Sequence, residues 1–381
     1  MHIHLKYGCN PHQGQATLAG DGLQILNGTP GYINLLDALG AWQLVKELKS
    51  ATGIASAASF KHLSPAGAAI AKPLDDTYCR SQFRTNTQLS SVATAYVRAR
   101  GGDRMCSFGD AAAVSDPVDL SLAQVLQGEV SDLIIAPAYD PEALRILKRK
   151  KRGNYLILQM DPEYEPPALE RRELYGFEFV QERNTAAITP QTFGSGVDLS
   201  EAEVENLLVA TIALKYTQSN SVAVAYDGQV IGMGAGQQSR IHCTRLACDK
   251  ADKWLLQQHP KVLQLPFVSR LSKPERTNVI DQFLLWEQLS AAEQQDMQSS
   301  LKVAAEPLTR DERDEWIGSF RHLCMSSDAY FPFRDSLDRA AKSNIVTVAH
   351  QGGSVRDEPV AAAAKEQAIK LIETQLRCFL H

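Results

Sequence analysis

Apolar side chains recur every three to four positions through Leu35, Leu36, Leu39, Trp42, Val45 and Leu48, which predicts a helix over residues 33–49 with one buried face. Gly28-Thr29-Pro30-Gly31 ahead of it reads as a turn. A small-residue strand then leads into a loop at Lys61-His62, and a second helix is expected over 90–100, before Gly101-Gly102-Asp103. Ser107-Phe108-Gly109-Asp110 reads as a tight loop. Leu133-Ile134-Ile135-Ala136, introduced by Ser131-Asp132 and stopped by Pro137, has the β-branched content of a buried strand. A helix over 141–151 and a strand over 155–158 follow. Strand and helix alternate, so the first half predicts an α/β layer structure.

Residues 161–196, rich in Pro, Glu and Arg and weakly periodic, read as connecting structure and supply a boundary between a first unit, 1–190, and a second, 191–381. Ser200 and Glu203 then form a capping box, followed by Val204, Leu207, Leu208, Thr211 and Ile212 at helical spacing up to Lys215. Residues 222–226, Asp227-Gly228 and 229–231 read as a hairpin with a tight primed turn. A glycine loop and another helix come next. The polar stretch from 275 to 318 has no strand pattern and carries a second capping box at Thr309 and Glu312, so a helical insertion is expected at about 260–320. The chain closes with a strand over 345–348, a Gly352-Gly353-Ser354 loop, a helix over 359–367 and a final strand to His381.

At 381 residues the chain exceeds one ordinary core, and 44% hydrophobic with 22% charged residues is the composition of a soluble globular protein. The net charge of −5, with both signs well mixed, argues against a nucleic-acid surface. The one dense basic run, Lys148-Arg149-Lys150-Lys151-Arg152, reads as a solvated helix end that complements the macrodipole. The seven cysteines are odd in number, scattered and without a Cys-x-x-Cys, which points to neither a disulfide framework nor zinc. No apolar stretch approaches a membrane span and the N-terminus lacks signal-peptide character, so a cytoplasmic protein is expected.

Chemistry concentrates around Ser59-Phe60-Lys61-His62-Leu63-Ser64-Pro65. Histidine titrates near neutrality and an adjacent ammonium can hand on a proton, so the pair suits proton transfer. Neighbours on a strand face opposite ways, so only a loop or bulge lets both reach one substrate; a solvated pair is the plain alternative. Gly232-x-Gly234-x-Gly236 lacks the Lys-Ser/Thr ending of a nucleotide-hydrolysing loop, and such runs often only turn a chain. Asn220, among small polar residues, either closes a turn or offers an amide N–H to a developing oxyanion.

The Lys61-His62 stretch resembles that of AICAR (5-aminoimidazole-4-carboxamide ribonucleotide) transformylase, the formyl-transferring part of the bifunctional purine-biosynthesis protein. Four more strings match in order: Tyr7-Gly8-Cys9-Asn10-Pro11-His12-Gln13, Leu214-Lys215-Tyr216-Thr217-Gln218-Ser219-Asn220-Ser221-Val222, the run from Gly232 to Arg245, and Ser326-Ser327-Asp328-Ala329-Tyr330-Phe331-Pro332-Phe333-Arg334-Asp335. The resemblance implies two cytidine-deaminase-like three-layer α/β/α subdomains, the second carrying the helical insertion, in an intimate homodimer. It implies catalytic roles for Lys61, His62, Asn220 and Asp335, with the two proton transfers divisible either way between Lys61 and His62. It assigns AICAR to Lys6, Tyr7, Asn34, Arg377 and Phe379, and the folate to Phe108, Gly109, Asp132, Arg240, Ile241, Pro332 and Phe333. The family usually has arginine where this chain has Lys6, which keeps the charge and loses the bidentate fork.

The implied reaction moves a formyl group from 10-formyl-tetrahydrofolate, as co-substrate, to the AICAR amine. Thr217, Ser219, Ser221 and Asp328 fall where the family can hold potassium, with ordinary side-chain hydrogen bonding as the alternative; no zinc is expected. Because the transformylase motifs begin at Lys6, a monofunctional chain with a separate IMP cyclohydrolase as pathway partner is expected. Two rival readings are a non-catalytic nucleotide- or folate-binding regulator and an ATP- and formate-dependent synthetase of the same product. The joint presence of Lys61, His62, Asn220 and Asp335 counts against the first, and the lack of an ATP motif against the second.

Overall fold

The protein is described by a computed structural model covering residues 2–85, 88–194 and 196–381. In the first half the strands are β1 (His2–Leu5), β2 (Ala16–Ala19), β3 (Leu23–Asn27), β4 (Ser56–Lys61), β5 (Ser64–Ile70), β6 (Asp110–Val114), β7 (Ser131–Ala136) and β8 (Leu156–Met160). A hairpin, β9 (Leu169–Leu174) and β10 (Phe177–Glu182), precedes β11 (Val222–Tyr226), β12 (Gln229–Gly234), β13 (Cys324–Ser327), β14 (Thr347–His350) and β15 (Lys370–Glu373). One mixed sheet has the order β15-β14-β13-β11-β12-β5-β4-β6-β7-β8-β3. All strands on one side of the β12–β5 junction come from the second half of the chain, and all on the other side from the first.

Alternation along the strands builds the layers. Leu133 and Ile135 of β7 point to one core and Ile134 and Ala136 to the other, and the same parity holds for Ala58 against Ala57 and for Ala223 against Val222. The first face is covered by the helices Tyr32–Thr52 and Glu201–Lys215, joined where Lys215 Nζ meets Glu47 at 2.9 Å. The opposite face carries the helices Ser91–Gly101, Leu120–Gln127, Arg240–Leu256, Asp335–Lys342 and Asp357–Glu366. This is a three-layer α/β/α fold. Among the described residues no helix is long and apolar enough to cross a membrane.

Both capping boxes form, Ser200 with Glu203 and Thr309 with Glu312. The stretch 260–320 is helical at Pro260–Leu263, Lys273–Leu284, Ala291–Ser299 and Arg310–Gly318, as the polar pattern predicts. Five expectations need correction. The helix predicted to reach 151 stops at Leu147, and Lys151 and Arg152 turn left-handed at φ 51° and 55°. The basic run is therefore not a plain helix end: Lys150 donates to the Glu129 carbonyl and Lys151 pairs with Asp132. The stretch 161–196 contains the hairpin β9–β10, whose strand residues are almost all exposed, so no core-facing stripe announces it.

The other two corrections concern the glycine run and the C-terminus. Gly232 and Gly234 lie inside β12, where an added Cβ would stand 2.1 Å from the Ala247 carbonyl and 2.2 Å from that of Cys243. They admit the helix Arg240–Leu256 onto the strand backbone, and only Gly236, at φ 64°, turns the chain. The last strand ends at Glu373; residues 374–381 leave the sheet, and Leu380 and Ser219 exchange hydrogen bonds of 3.0 and 3.1 Å.

Candidate active site

Strand registers bring most of the candidate residues to one end of the sheet. Lys61 faces Ser64 across the β4–β5 turn, and Phe60 faces Ala111, which puts Phe108, Gly109 and Asp110 at the same end. Asp110 aligns with Ser131 at the start of β7, so Asp132 belongs there too. Across the junction Val222 faces both Gly234 and Ser327, which adds the segments 217–221, 235–241 and Asp328. A hydrogen bond from Gln218 N to Ser64 Oγ, 3.4 Å, ties the two halves of this group together.

Lys61 and His62 reach this end by a two-residue primed turn in which His62 and Leu63 have φ of 53° and 62°. A register shift at Ser59/Phe60 bulges the strand just before it. Turn and bulge together remove the opposite-face constraint of a regular strand. His62 is exposed, and Lys61 Nζ donates to the Phe108 carbonyl. A Cβ on Gly109, at φ 74°, would stand 3.7 Å from Lys61 Nζ and 3.6 Å from Asp132 Oδ2, so Lys61, Phe108, Gly109 and Asp132 are neighbours.

Beneath them lies a buried charge pair that the sequence does not announce. Arg100 pairs with Asp110 at 2.9 Å, donates to the Ser107 carbonyl at 2.6 Å and to the Val130 carbonyl at 3.0 Å. It thereby fixes the backbone just before Phe108 and just before Ser131-Asp132. Burial holds the Asp110 carboxyl above its ordinary value, against the opposing pull of the Arg100 guanidinium.

On the other side of the junction Arg240 Nη1 pairs with Asp328 and donates to the Ser221 carbonyl at 2.8 Å, while Nη2 donates to Asn220 Oδ1 at 2.9 Å. Asp328 Oδ2 also accepts from Ser219 Oγ (2.6 Å), Ser221 N (2.9 Å) and Ser221 Oγ (3.1 Å), and Thr217 Oγ1 donates to the Ala213 carbonyl (2.7 Å). Ser219 and Ser221 thus form a network with Asp328, whose negative charge is answered by Arg240, while the Thr217 hydroxyl is engaged apart from it. All four side chains are engaged in ordinary hydrogen bonds, and their hard oxygens are also of the type a potassium ion takes.

Arg377 and Phe379 sit on the tail that crosses this network: Cys378 N donates to the Asp328 carbonyl at 2.8 Å, and the Arg377 guanidinium lies 5.0 Å from the Phe379 ring. Pro332, Phe333 and Asp335 follow Asp328, with Arg356 5.8 Å from the Phe333 ring and Asp335 opening a helix. His350 closes β14 at this end, stacked on Phe331 at 5.6 Å, and burial depresses its pKa to about 4, so it stands neutral. Ile241 is in the first turn of the helix after the glycine run, and Asn34 Oδ1 caps Gly31 N at 3.3 Å. Lys6 and Tyr7 follow β1, which pairs only with β2; among the described residues neither shares a hydrogen bond or ion pair with this group.

A three-layer α/β protein that gathers charged, amide and aromatic side chains at one sheet end has the layout of a small-molecule site. A family model described as the AICARFT/IMPCHase bienzyme matches residues 1–250, and the chain belongs to that family. The bifunctional purine biosynthesis protein PurH of Roseobacter denitrificans is 29% identical over 390 residues, covering 99% of this chain and 59% of that protein. The protein of the same name in Cereibacter sphaeroides is 29% identical over 398 residues, with the same two coverages. The chain therefore spans 59% of the length of these relatives. The resemblance carried by the five strings holds at the level of the family.

Proposed function

We propose that this chain transfers a formyl group from 10-formyl-tetrahydrofolate to the 5-amino group of AICAR, yielding the 5-formamido ribonucleotide. The observation that carries the reading is the meeting, at one sheet end, of the Lys61-His62 turn with the Phe108-Gly109-Asp132 group and the Asn220-Arg240 pair.

The AICAR nitrogen attacks the formyl carbon, forming the new C–N bond as negative charge gathers on the formyl oxygen. Arginine only donates, so Arg240 fixes Asn220 with its oxygen inward; one Nδ2 hydrogen goes to the Gln238 carbonyl at 3.2 Å and the other is left for that oxygen. The bond from the formyl carbon to folate N10 then breaks. His62 accepts the proton lost by the amine, and Lys61, a donor held by the Phe108 carbonyl, delivers one to N10. Phe108 and Phe333, 47% and 58% exposed, offer flat apolar walls for the pterin, with Asp132 as its carboxylate. Asn34, Arg377 and Phe379 serve the nucleotide, together with Lys6 and Tyr7.

We read Lys6 and Tyr7, which among the described residues share no hydrogen bond or ion pair with the rest of the group, as reaching a site from a second copy of the chain, in the homodimer that the family resemblance implies. The exposed hairpin supports such a partner: Tyr175 is 96% and Phe177 69% exposed, and a lone two-stranded hairpin is marginal in water. Purified chain mixed with AICAR and 10-formyl-tetrahydrofolate should release tetrahydrofolate only when both are present. Product formed from formate and ATP instead would replace this reading by the synthetase.

A further inference from the structure

Asp37 lies three residues after Asn34 on the helix Tyr32–Thr52, with 7% of its surface exposed. Nothing in the periodicity of that helix explains a carboxylate there: its neighbours Leu35, Ala38 and Ala41 are buried and apolar. Its Oδ1 accepts a hydrogen bond from Leu63 N at 2.7 Å, which makes it the anchor of the turn that presents His62. Burial pushes the Asp37 carboxyl up, while the backbone N–H groups of Leu63 and His62, then the charges of His62 and Lys61, pull it down.

The turn needs an anchor. Two-residue primed turns favour Asn-Gly or Gly-Gly because both central residues take positive φ; here a histidine and a leucine hold 53° and 62°. A conformation this unfavourable persists only where its surroundings over-determine it, and the short bond from a helix-borne carboxylate does so from the helix layer rather than from the hairpin itself. A one-residue slip or a relaxed turn would swing the imidazole away from Lys61.

We propose that Asp37 is a positioning residue: its carboxylate clamps the His62-Leu63 turn and so sets where the His62 imidazole stands relative to Lys61. This rests on the formyl-transfer reading. Two variants separate the clamp from a merely structural role. Asp37→Ala removes the acceptor, and Asp37→Asn keeps an acceptor oxygen while removing a buried charge. The readouts are turnover, KM for both substrates, hydrogen exchange of the Leu63 amide, and thermal unfolding.

The clamp predicts that Asp37→Ala lowers kcat by about 10²-fold with both KM values within about threefold, the signature of a misplaced reacting group, and that its Leu63 amide loses protection. Asp37→Asn should stay within about tenfold of the unaltered chain in kcat, keep Leu63 protected, and melt no lower. Equal turnover in Asp37→Ala and the unaltered chain overturns the proposal, as does a Leu63 amide equally protected in both. If Asp37→Ala fails to fold, Asp37→Asn decides alone: loss of Leu63 protection or a kcat drop beyond tenfold overturns the clamp. If the unaltered chain transfers no formyl group, the functional reading fails separately, and Leu63 exchange still tests the clamp.

Discussion

Arg240 donates to Asn220 Oδ1 at 2.9 Å, so the amide of Asn220 is presented by a residue twenty positions further along the chain. The orientation follows from chemistry, since a guanidinium cannot accept a hydrogen bond from an amide NH₂. Asn220→Ala should therefore lower turnover by about 10²–10³-fold, the usual size for removing one oxyanion donor, with KM values little changed. Steady-state kinetics check this, and an unchanged rate would return Asn220 to closing a turn.

The same guanidinium neutralises Asp328, whose side chain is fully buried. Breaking a buried pair by removing one partner leaves an unpaired charge, so Arg240→Met should destabilise the chain by about 3–5 kcal/mol. Adding Asp328→Asn removes the stranded charge and should recover part of that loss. Urea unfolding of the two variants checks the order, and a double variant less stable than Arg240→Met would contradict it.

Glu203 supplies a pH signature away from the site. Burial alone would raise its carboxyl; the Thr347 hydroxyl, the Ser200 N–H and the Lys370 ammonium overcome this and hold it at about 2, against an ordinary 4.5. The folded pKa lies below the unfolded one, so this stability is present above about pH 4.5 and is lost as pH falls toward 2. The shift corresponds to at most about 3 kcal/mol, less after allowance for the half-exposed Lys370. The unaltered chain should exceed Glu203→Gln in stability at pH 7 by about 1–3 kcal/mol, with the gap narrowing steadily below pH 4.5 in urea unfolding. A gap independent of pH would remove the charge from the account.

If Lys6 and Lys61 serve one site from different subunits, Lys6→Ala and Lys61→Ala chains, each inactive alone, should regain partial activity when mixed and reassembled. The reassembled population should approach about one quarter of the unaltered activity per site, because about half of randomly paired dimers are mixed and one of the two sites in each of those carries neither change. Full activity in a sedimenting monomer would end the shared-site reading.

The sequence made some of this structure readable and hid the rest for physical reasons. The helix Tyr32–Thr52, the capping boxes at Ser200 and Thr309 and the Lys61-His62 loop are local signals, carried by spacing and by side chains that act on their own backbone. The β9–β10 hairpin was hidden because its strands face solvent almost throughout and show no buried stripe. Gly232 and Gly234 read as a loop in the sequence because the helix that needs their missing side chains follows them in the chain. Asp37, Arg100 and Asp110 carry no local signal because each acts on a partner brought near only by folding: Leu63, the carbonyls of Ser107 and Val130, and Ser59.

The central claim is that one carbon moves from folate to nucleotide at this sheet end. The chain, given AICAR and 10-formyl-tetrahydrofolate carrying a ¹³C-labelled formyl group, should yield a ¹³C formamide signal on the ribonucleotide while the folate signal falls in equal measure, and His62→Ala should slow that exchange by about 10²-fold. Label that stays on the folate, or appears as free formate with AICAR unchanged, would contradict the account.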